Sequence, residues 1–227
     1  MRAAQADDPE AQYNIGLCYE NGEGVSRSLA KAIRWYAMAA QQGYPSAQYN
    51  LGVMYERGMG AKVDCRQAAM WYRRAAMQHF PDAQHNLACL FMDGRGVSKN
   101  QRRALLWFRR AAIQGNVDSQ FNMGLAYDLG LGTRKDPAGA VSWYRKAARA
   151  GDVAAMANLG GLLCFGAESI QSKRAGLRYL RRASSAGDQV AMVNLSRCYE
   201  EGVGVVKNAD RARELLDQSN KMAAHWT

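Results

Sequence analysis

Apolar residues recur along this chain with helical spacing, and a longer beat is laid over them. Between residues 45 and 80, Leu51 and Tyr55 fall on one line. Ala68, Trp71, Tyr72, Ala75 and Ala76 fall on a second, at the i, i+3, i+4 and i+7 spacing of a helix face turned to a core. The whole arrangement returns every 36 residues. Its signature is a small residue, Asn three positions later, then an aliphatic residue and Gly. Ala11-Gln12-Tyr13-Asn14-Ile15-Gly16 is the first copy, and equivalents start at Ala47, Ala83, Ser119, Ala155 and Ala191. A fixed period of this length marks a solenoid, in which each unit buries its apolar face against its neighbours. The pattern predicts one continuous all-α array over residues 1–227, with six helix-turn-helix repeats starting near 9, 45, 81, 117, 153 and 189.

Stop and start signals set the helix ends. Helix A of each repeat begins near a proline such as Pro45, which suits a first helical turn whose N–H groups lack partners, or after Asn116, Asp152 or Asp188 as N-cap. It ends at Gly22, Gly58, Gly94, Gly130, Gly166 and Gly202, where a left-handed residue is expected. Ser28, Asp64, Asn100, Asp136, Ser172 and Asn208 are then the expected caps of helix B, which runs for about 14 residues to Gly43, Gly115, Gly151 or Gly187. His79 takes that place in the second repeat. The fifth repeat, with Gly166-Ala167-Glu168 in place of Gly-x-Gly, is expected to carry an irregular loop around Ala167–Gln171. Ala3-Ala4 aligns with Ala39-Ala40 and Pro9 with Pro45, so the chain is read as opening inside helix B of a preceding repeat and as part of a longer protein.

Trp35, Trp71, Trp107 and Trp143 form one column, continued by Tyr179 and Leu215, and their spacing predicts core. The pattern Ala-x-x-Asn-Leu-Gly-x-x-Tyr-x-x-Gly-x-Gly-Val, followed by Lys/Arg-Ala-x-x-Trp-Tyr-x-x-Ala-Ala-x-x-Gly, resembles the Sel1-like repeat (SLR), a relative of the tetratricopeptide repeat. The resemblance covers residues 9 to 222 and is most specific in the first four repeats. It implies a right-handed αα-superhelix with helices A on the concave face, and an adaptor or scaffold role in bacteria. The sixth repeat replaces the aromatic pair with Leu215-Leu216, as a terminal cap does.

Composition narrows the class. No apolar run reaches the roughly 18 residues of a membrane-spanning helix, and the first residues hold no secretory core. The five cysteines, Cys18, Cys65, Cys89, Cys164 and Cys198, do not recur in pairs and read as free thiols. That favours a cytoplasmic location, or a periplasmic or secreted one if the chain is a piece of a longer protein. The formal charge of +10 is carried mostly by helices B, for example Arg73, Arg74, Arg109 and Arg110, whereas Glu20, Glu56, Asp128 and Glu200 lie in helices A. The outer face is therefore expected to be positive and the groove neutral to acidic. Exposed aromatics interleaved with the basic residues are not expected, which argues against nucleic acid.

The candidate site is the concave face. Asn14, Asn50, Asn86, Asn122, Asn158 and Asn194 repeat without exception although Asn is a mediocre helix former. An amide donates and accepts, so such a ladder can hold the backbone of an extended peptide, or it can bond to the adjacent helix. Beside it stand Tyr13, Tyr49, His85 and Phe121, then Val53 and Leu125, with small residues at Ala154, Ala157 and Gly161 as a shallow recess. His79, His85 and His225 form no i, i+4 metal pair, and Cys89 lies four residues from His85, a spacing that chance explains. No catalytic residue, metal site or cofactor is expected. The reading is a non-catalytic scaffold that binds an extended protein segment. The alternatives are an immunity-type inhibitor of one secreted bacterial effector, and a basic module for nucleic acid or anionic membrane.

Overall fold

The computed structural model describes residues 8–166 and 169–224. Among them are twelve α-helices and no strand: α1 (Pro9–Asn21), α2 (Leu29–Gln41), α3 (Pro45–Arg57), α4 (Cys65–Met77), α5 (Pro81–Asp93), α6 (Gln101–Ile113), α7 (Val117–Leu129), α8 (Pro137–Arg149), α9 (Val153–Phe165), α10 (Ile170–Ser185), α11 (Gln189–Glu201) and α12 (Ala209–Ala224). The Ala3-Ala4 alignment and His225 lie outside the described residues. The chain divides into two compact units, Met1–Asn116 with α1–α6 and Val117–Thr227 with α7–α12.

In the first unit the predicted boundaries hold to within a residue. Asp64 accepts from the N–H groups of Arg66 and Gln67, and Asn100 from that of Arg103. Gly22, Gly58 and Gly94 end helices A with φ of 80°, 71° and 79°. Each turn is then pinned by one recurring bond, from the N–H of the helix-B cap to a carbonyl of helix A: Ser28 to Tyr19 at 2.8 Å, Asp64 to Tyr55 at 2.9 Å, Asn100 to Phe91 at 2.8 Å. Ser28 meets Tyr19 while Tyr36, further on, meets Gly16, so the paired helices run antiparallel.

Close approach sets the packing. A Cβ on Gly16 would lie 2.5 Å from the Tyr36 ring, and one on Gly52 2.6 Å from the Tyr72 ring. Tyr36, Tyr72 and Phe108 are consequently fully buried. The tryptophan column behaves differently. Trp71 is 7% exposed, but Trp35 and Trp107 are half-buried at the rim. Arg74 and Arg110 stack over Trp71 and Trp107 at 4.6 and 4.5 Å. Of the two adjacent aromatics in helix B, the second is core and the first is its edge.

The second unit repeats the plan through α7–α12, with Tyr144 and Leu180 fully buried and Trp143 half-buried under Lys146, 4.0 Å from its ring. The fifth repeat departs from expectation. Gly166 is right-handed, with φ −99°. The cap of α10 is Ser169, which accepts from the N–H of Ser172, so Ser172 lies inside the helix and Ile170 and Gln171 are helical. Without a second turn glycine the chain re-enters helix early, and α10 gains three residues over the 13 of most helices. Residues 167 and 168 of the expected loop lie outside the described residues.

Candidate functional site

Each helix A buries one side and leaves a narrow edge. In α3, Ala47, Gln48, Leu51, Gly52 and Met54 are buried, while Tyr49, Asn50 and Val53 are half-buried along one line. Positions 49 and 53, and 50 and 53, are four and three residues apart, so both neighbour the same helix face. The structure therefore groups the predicted residues of each repeat into one accessible stripe. The columns are not uniform. Asn14 is exposed and Asn50, Asn86, Asn122, Asn158 and Asn194 are half-buried.

The amides lie against tyrosines. Nδ2 of Asn158 donates to the Tyr144 hydroxyl at 3.3 Å. Asn50 lies near the phenols of Tyr13 and Tyr36, and Asn86 near those of Tyr49 and Tyr72, each amide working against the burial that raises them. Asn122 instead donates to the carbonyl of Asp118 in its own helix, at 2.9 Å. The ladder thus has one anchoring mode where a tyrosine precedes it and another where the bond is local.

The aromatic column lies flat against the interior. Tyr49 stacks on Tyr72 and Phe80, with ring centroids 5.9 and 5.2 Å apart, His85 on Phe108 at 5.5 Å, and Phe121 on Tyr144 at 5.8 Å. These rings floor the stripe. Of the small-residue recess, Ala154 is exposed, Ala157 is buried, and the Asn194 amide sits 3.2 Å from where a Gly161 Cβ would stand. Small residues there serve the packing of α9 against α11.

Two carboxylates of helices A, Glu20 and Glu56, face inward. The Tyr36 hydroxyl donates to Glu20 at 2.5 Å, and the Tyr72 hydroxyl to Glu56 at 2.7 Å. Glu56 also receives Arg95 of the next turn at 2.9 Å, with only 17% of its side chain exposed. Burial, then donation to the carboxylate, pushes the Tyr36 and Tyr72 phenols far above their ordinary value. Burial and the nearby Asp128 do the same to Tyr144. The tyrosine hydroxyls hold Glu20 and Glu56 at the seam between the paired helices.

One network escaped the sequence reading. Gln12, Gln48 and Gln84 are buried at 1%, 3% and 0% exposure. Nε2 of Gln48 donates to the Ala40 carbonyl of the preceding repeat at 3.1 Å, and Gln84 to Ala76 at 3.0 Å. Their oxygens accept from Gln78 and Gln114 at 2.9 and 2.8 Å, as Gln12 accepts from Gln42 at 2.9 Å. The signal was present, since each pair is 30 residues apart and recurs at 36. A buried amide is stable only when its donors and acceptors are matched, and here every step matches them.

His85 and Cys89 are in contact, Nε2 to Sγ at 3.5 Å. Among the described residues no group of three His, Cys, Asp or Glu is placed to hold a metal, and no helix is long and apolar enough to cross a membrane.

Two-helix repeats stacked through matched polar bonds, with one accessible stripe per repeat, define an all-α solenoid of the tetratricopeptide-like class. The chain belongs to the Sel1 repeat family, whose model matches residues 9–44, 45–80, 81–116, 117–152, 153–188 and 189–223. Its fold is similar to that of c5321, described as a protective antigen of uropathogenic Escherichia coli strains displaying an SLR fold. That match has 33% identity, a TM-score of 0.88, and coverage of 97% of this chain and 47% of that one. It is also similar to a Sel1 repeat protein from Oxalobacter formigenes, at 35% identity, TM-score 0.77, and coverage of 94% and 85%. The chain therefore spans about half the length of the Escherichia coli protein. The immunity protein PA5088 from Pseudomonas aeruginosa, at 19% identity, TM-score 0.50, and coverage of 95% and 82%, shares the fold alone. No curated protein matches this chain. Sel1 repeat proteins are generally protein-interaction scaffolds, and the fold is typically non-catalytic.

Proposed function

We propose that this protein is a non-catalytic scaffold whose helix-A stripes bind an extended segment of a protein partner. One observation carries the reading: an asparagine stands at the same accessible place in all six repeats. A bound backbone is the one feature of a partner that repeats as regularly. The amide nitrogens of Asn158 and Asn122 are taken up by the Tyr144 hydroxyl and the Asp118 carbonyl, so the side-chain oxygens are the atoms that accept a partner's N–H groups. Val53 and Leu125, with the rings of Tyr49, His85 and Phe121, supply apolar contact beside them. A stripe whose Glu20 and Glu56 are already engaged by tyrosines suits a neutral or basic segment.

The test uses a photo-reactive residue at Val53 and at Leu125, with capture from cell extract and mass spectrometry. Asn122→Ala is the informative variant, because its bond is local: stability stays within about 0.5 kcal/mol while capture weakens. Asn158→Ala, which also gives up its bond to Tyr144, loses both, by about 1–3 kcal/mol in stability. Capture that is indifferent to Asn122→Ala and Asn50→Ala would end the peptide-grip reading.

A further inference from the structure

A solenoid carries its own control. Positions one period apart occupy the same place in successive repeats, so a residue that departs from its column marks a local demand. Two outer-face columns of helix B depart in this way. The first reads Arg34, Met70, Leu106, Ser142, Arg178 and Glu214. The second reads Gln41, Met77, Ile113, Arg149, Ser185 and Lys221. Only α4 and α6 place large apolar residues there, and these are well exposed: Met70 38%, Met77 70%, Leu106 62% and Ile113 67%. Everywhere else the same positions are polar, as a solvated face requires.

Three of the four, Met70, Met77 and Leu106, border a depression in the first unit. Two recesses of about 360 and 290 Å³ adjoin at Arg73. Met70 and Met77 floor one, beside Val97 of the turn after α5. Leu106, Trp107 and Phe91 floor the other. Met70 to Met77 spans seven residues, about 10 Å along the helix, which is two turns of a docked helix.

The rim is uniformly cationic. Helices α4 and α6 carry Arg66, Arg73, Arg74, Arg102, Arg103, Arg109 and Arg110 and no carboxylate. Among the described residues none of these arginines is ion-paired with Asp or Glu. The guanidinium carbons of Arg74 and Arg110 lie over the rings of Trp71 and Trp107, and that of Arg103 lies 5.9 Å from the Phe91 ring. An arginine held over a ring keeps its charge and its five N–H donors for a carboxylate.

We infer that this outer groove between α4 and α6 docks an acidic amphipathic helix of a protein partner. Its apolar residues, at i, i+3 or i+4 and i+7, fill the two recesses, and flanking Asp and Glu side chains meet the arginine rim. Helix-in-groove recognition uses this division of labour, and methionines suit it because they repack around different side chains. Charge alone would admit a nucleic acid or an anionic bilayer. A nucleic acid could stack a base on Trp107 but has nothing that fills the aliphatic recess at Met70 and Met77, and a flat membrane rewards an apolar ridge, whereas Met70, Met77 and Leu106 line hollows.

The test is an unbiased selection of helical peptides from a random displayed library against the whole protein, with affinities measured on the recovered peptides. The recovered sequences are expected to be acidic and amphipathic. Leu106→Glu and Met77→Glu should each weaken binding at least about tenfold, and added salt should weaken it further. Asn86→Ala should leave it unchanged, which separates this groove from the helix-A stripe. Both glutamate variants change exposed positions, and an unaltered thermal melt confirms that they fold. An empty selection, neutral or basic peptides, or affinity indifferent to Leu106→Glu would overturn the inference. So would phosphatidylserine vesicles or a single-stranded oligonucleotide that bind the protein and are released by Leu106→Glu when no peptide is.

Discussion

The Tyr72 hydroxyl donates to Glu56 across 2.7 Å, joining the two helices of the second repeat at their buried seam. The two residues vary together along the chain. Tyr36 goes with Glu20 and Tyr144 with Asp128, but where the ring is Phe108 the partner position is Met92, and where it is Leu180 it is Cys164. In these five repeats a carboxylate stands opposite the ring only where a hydroxyl is there to meet it; the sixth departs, with Glu200 opposite Leu216, both exposed. The pairing in the five follows from the cost of an unpaired polar group in a core.

Tyr72→Phe alone should cost about 1–2 kcal/mol, because Glu56 loses a donor while only Arg95 remains. Adding Glu56→Met recreates the Phe108–Met92 pairing and should recover part of that loss. A double-mutant cycle by urea denaturation would read a coupling of about 1 kcal/mol. Additive losses would mean that the covariation has another cause.

Alkaline pH should unfold the protein through the same tyrosines. In the unfolded chain a phenol releases its proton near pH 10, whereas burial holds Tyr36, Tyr72 and Tyr144 protonated well beyond that. Above about pH 10 the native state binds more protons than the unfolded one, so stability falls as pH rises and is flat below. The triple replacement by Phe should flatten the fall, measured by denaturant titrations between about pH 8 and 11.

Gly52→Ala should destabilise although alanine favours helix. A methyl there would meet the Tyr72 ring at 2.6 Å. The propensity gain is about 1 kcal/mol and overpacking costs about 1–3 kcal/mol, so a net loss is expected. A variant more stable than the parent in thermal unfolding would show that the seam yields.

His79→Gly should stabilise. His79 holds φ of 63° where four other repeats use Gly43, Gly115, Gly151 and Gly187. A left-handed non-glycine residue costs about 1–2 kcal/mol, partly offset by the freer unfolded chain, leaving a gain of about 0.5–1 kcal/mol. Unchanged stability would mean that the imidazole makes a compensating contact.

Helix ends were legible in the sequence because they depend on local chemistry: a capping side chain, or a glycine tolerating positive φ. The fifth repeat was misread at the same level, since Ser169 and Ser172 are equally good caps and the missing turn glycine decided between them. The asparagine column was visible, but the tyrosines it lies against were not, because they stand 14 residues away or more in different helices. The glutamines were overlooked because a polar residue at regular spacing reads as surface until its partners are known. The outer groove was hidden for the opposite reason, as exposed methionines pass for spacing noise.

The glutamine bonds have a consequence for how such a chain changes length. Gln48 and Gln84 make the same two bonds, one back to an alanine carbonyl and one to a glutamine 30 residues on. Excising residues 49–84 from between them would bring Gln48 into the register of Gln84, with Gln114 as its new donor and Ala40 still its acceptor. No buried amide would be orphaned at the join. A gene carrying this repeat can therefore gain or lose one 36-residue period by unequal crossing-over without breaking the polar seam, and selection is free to set the reach of the array one module at a time.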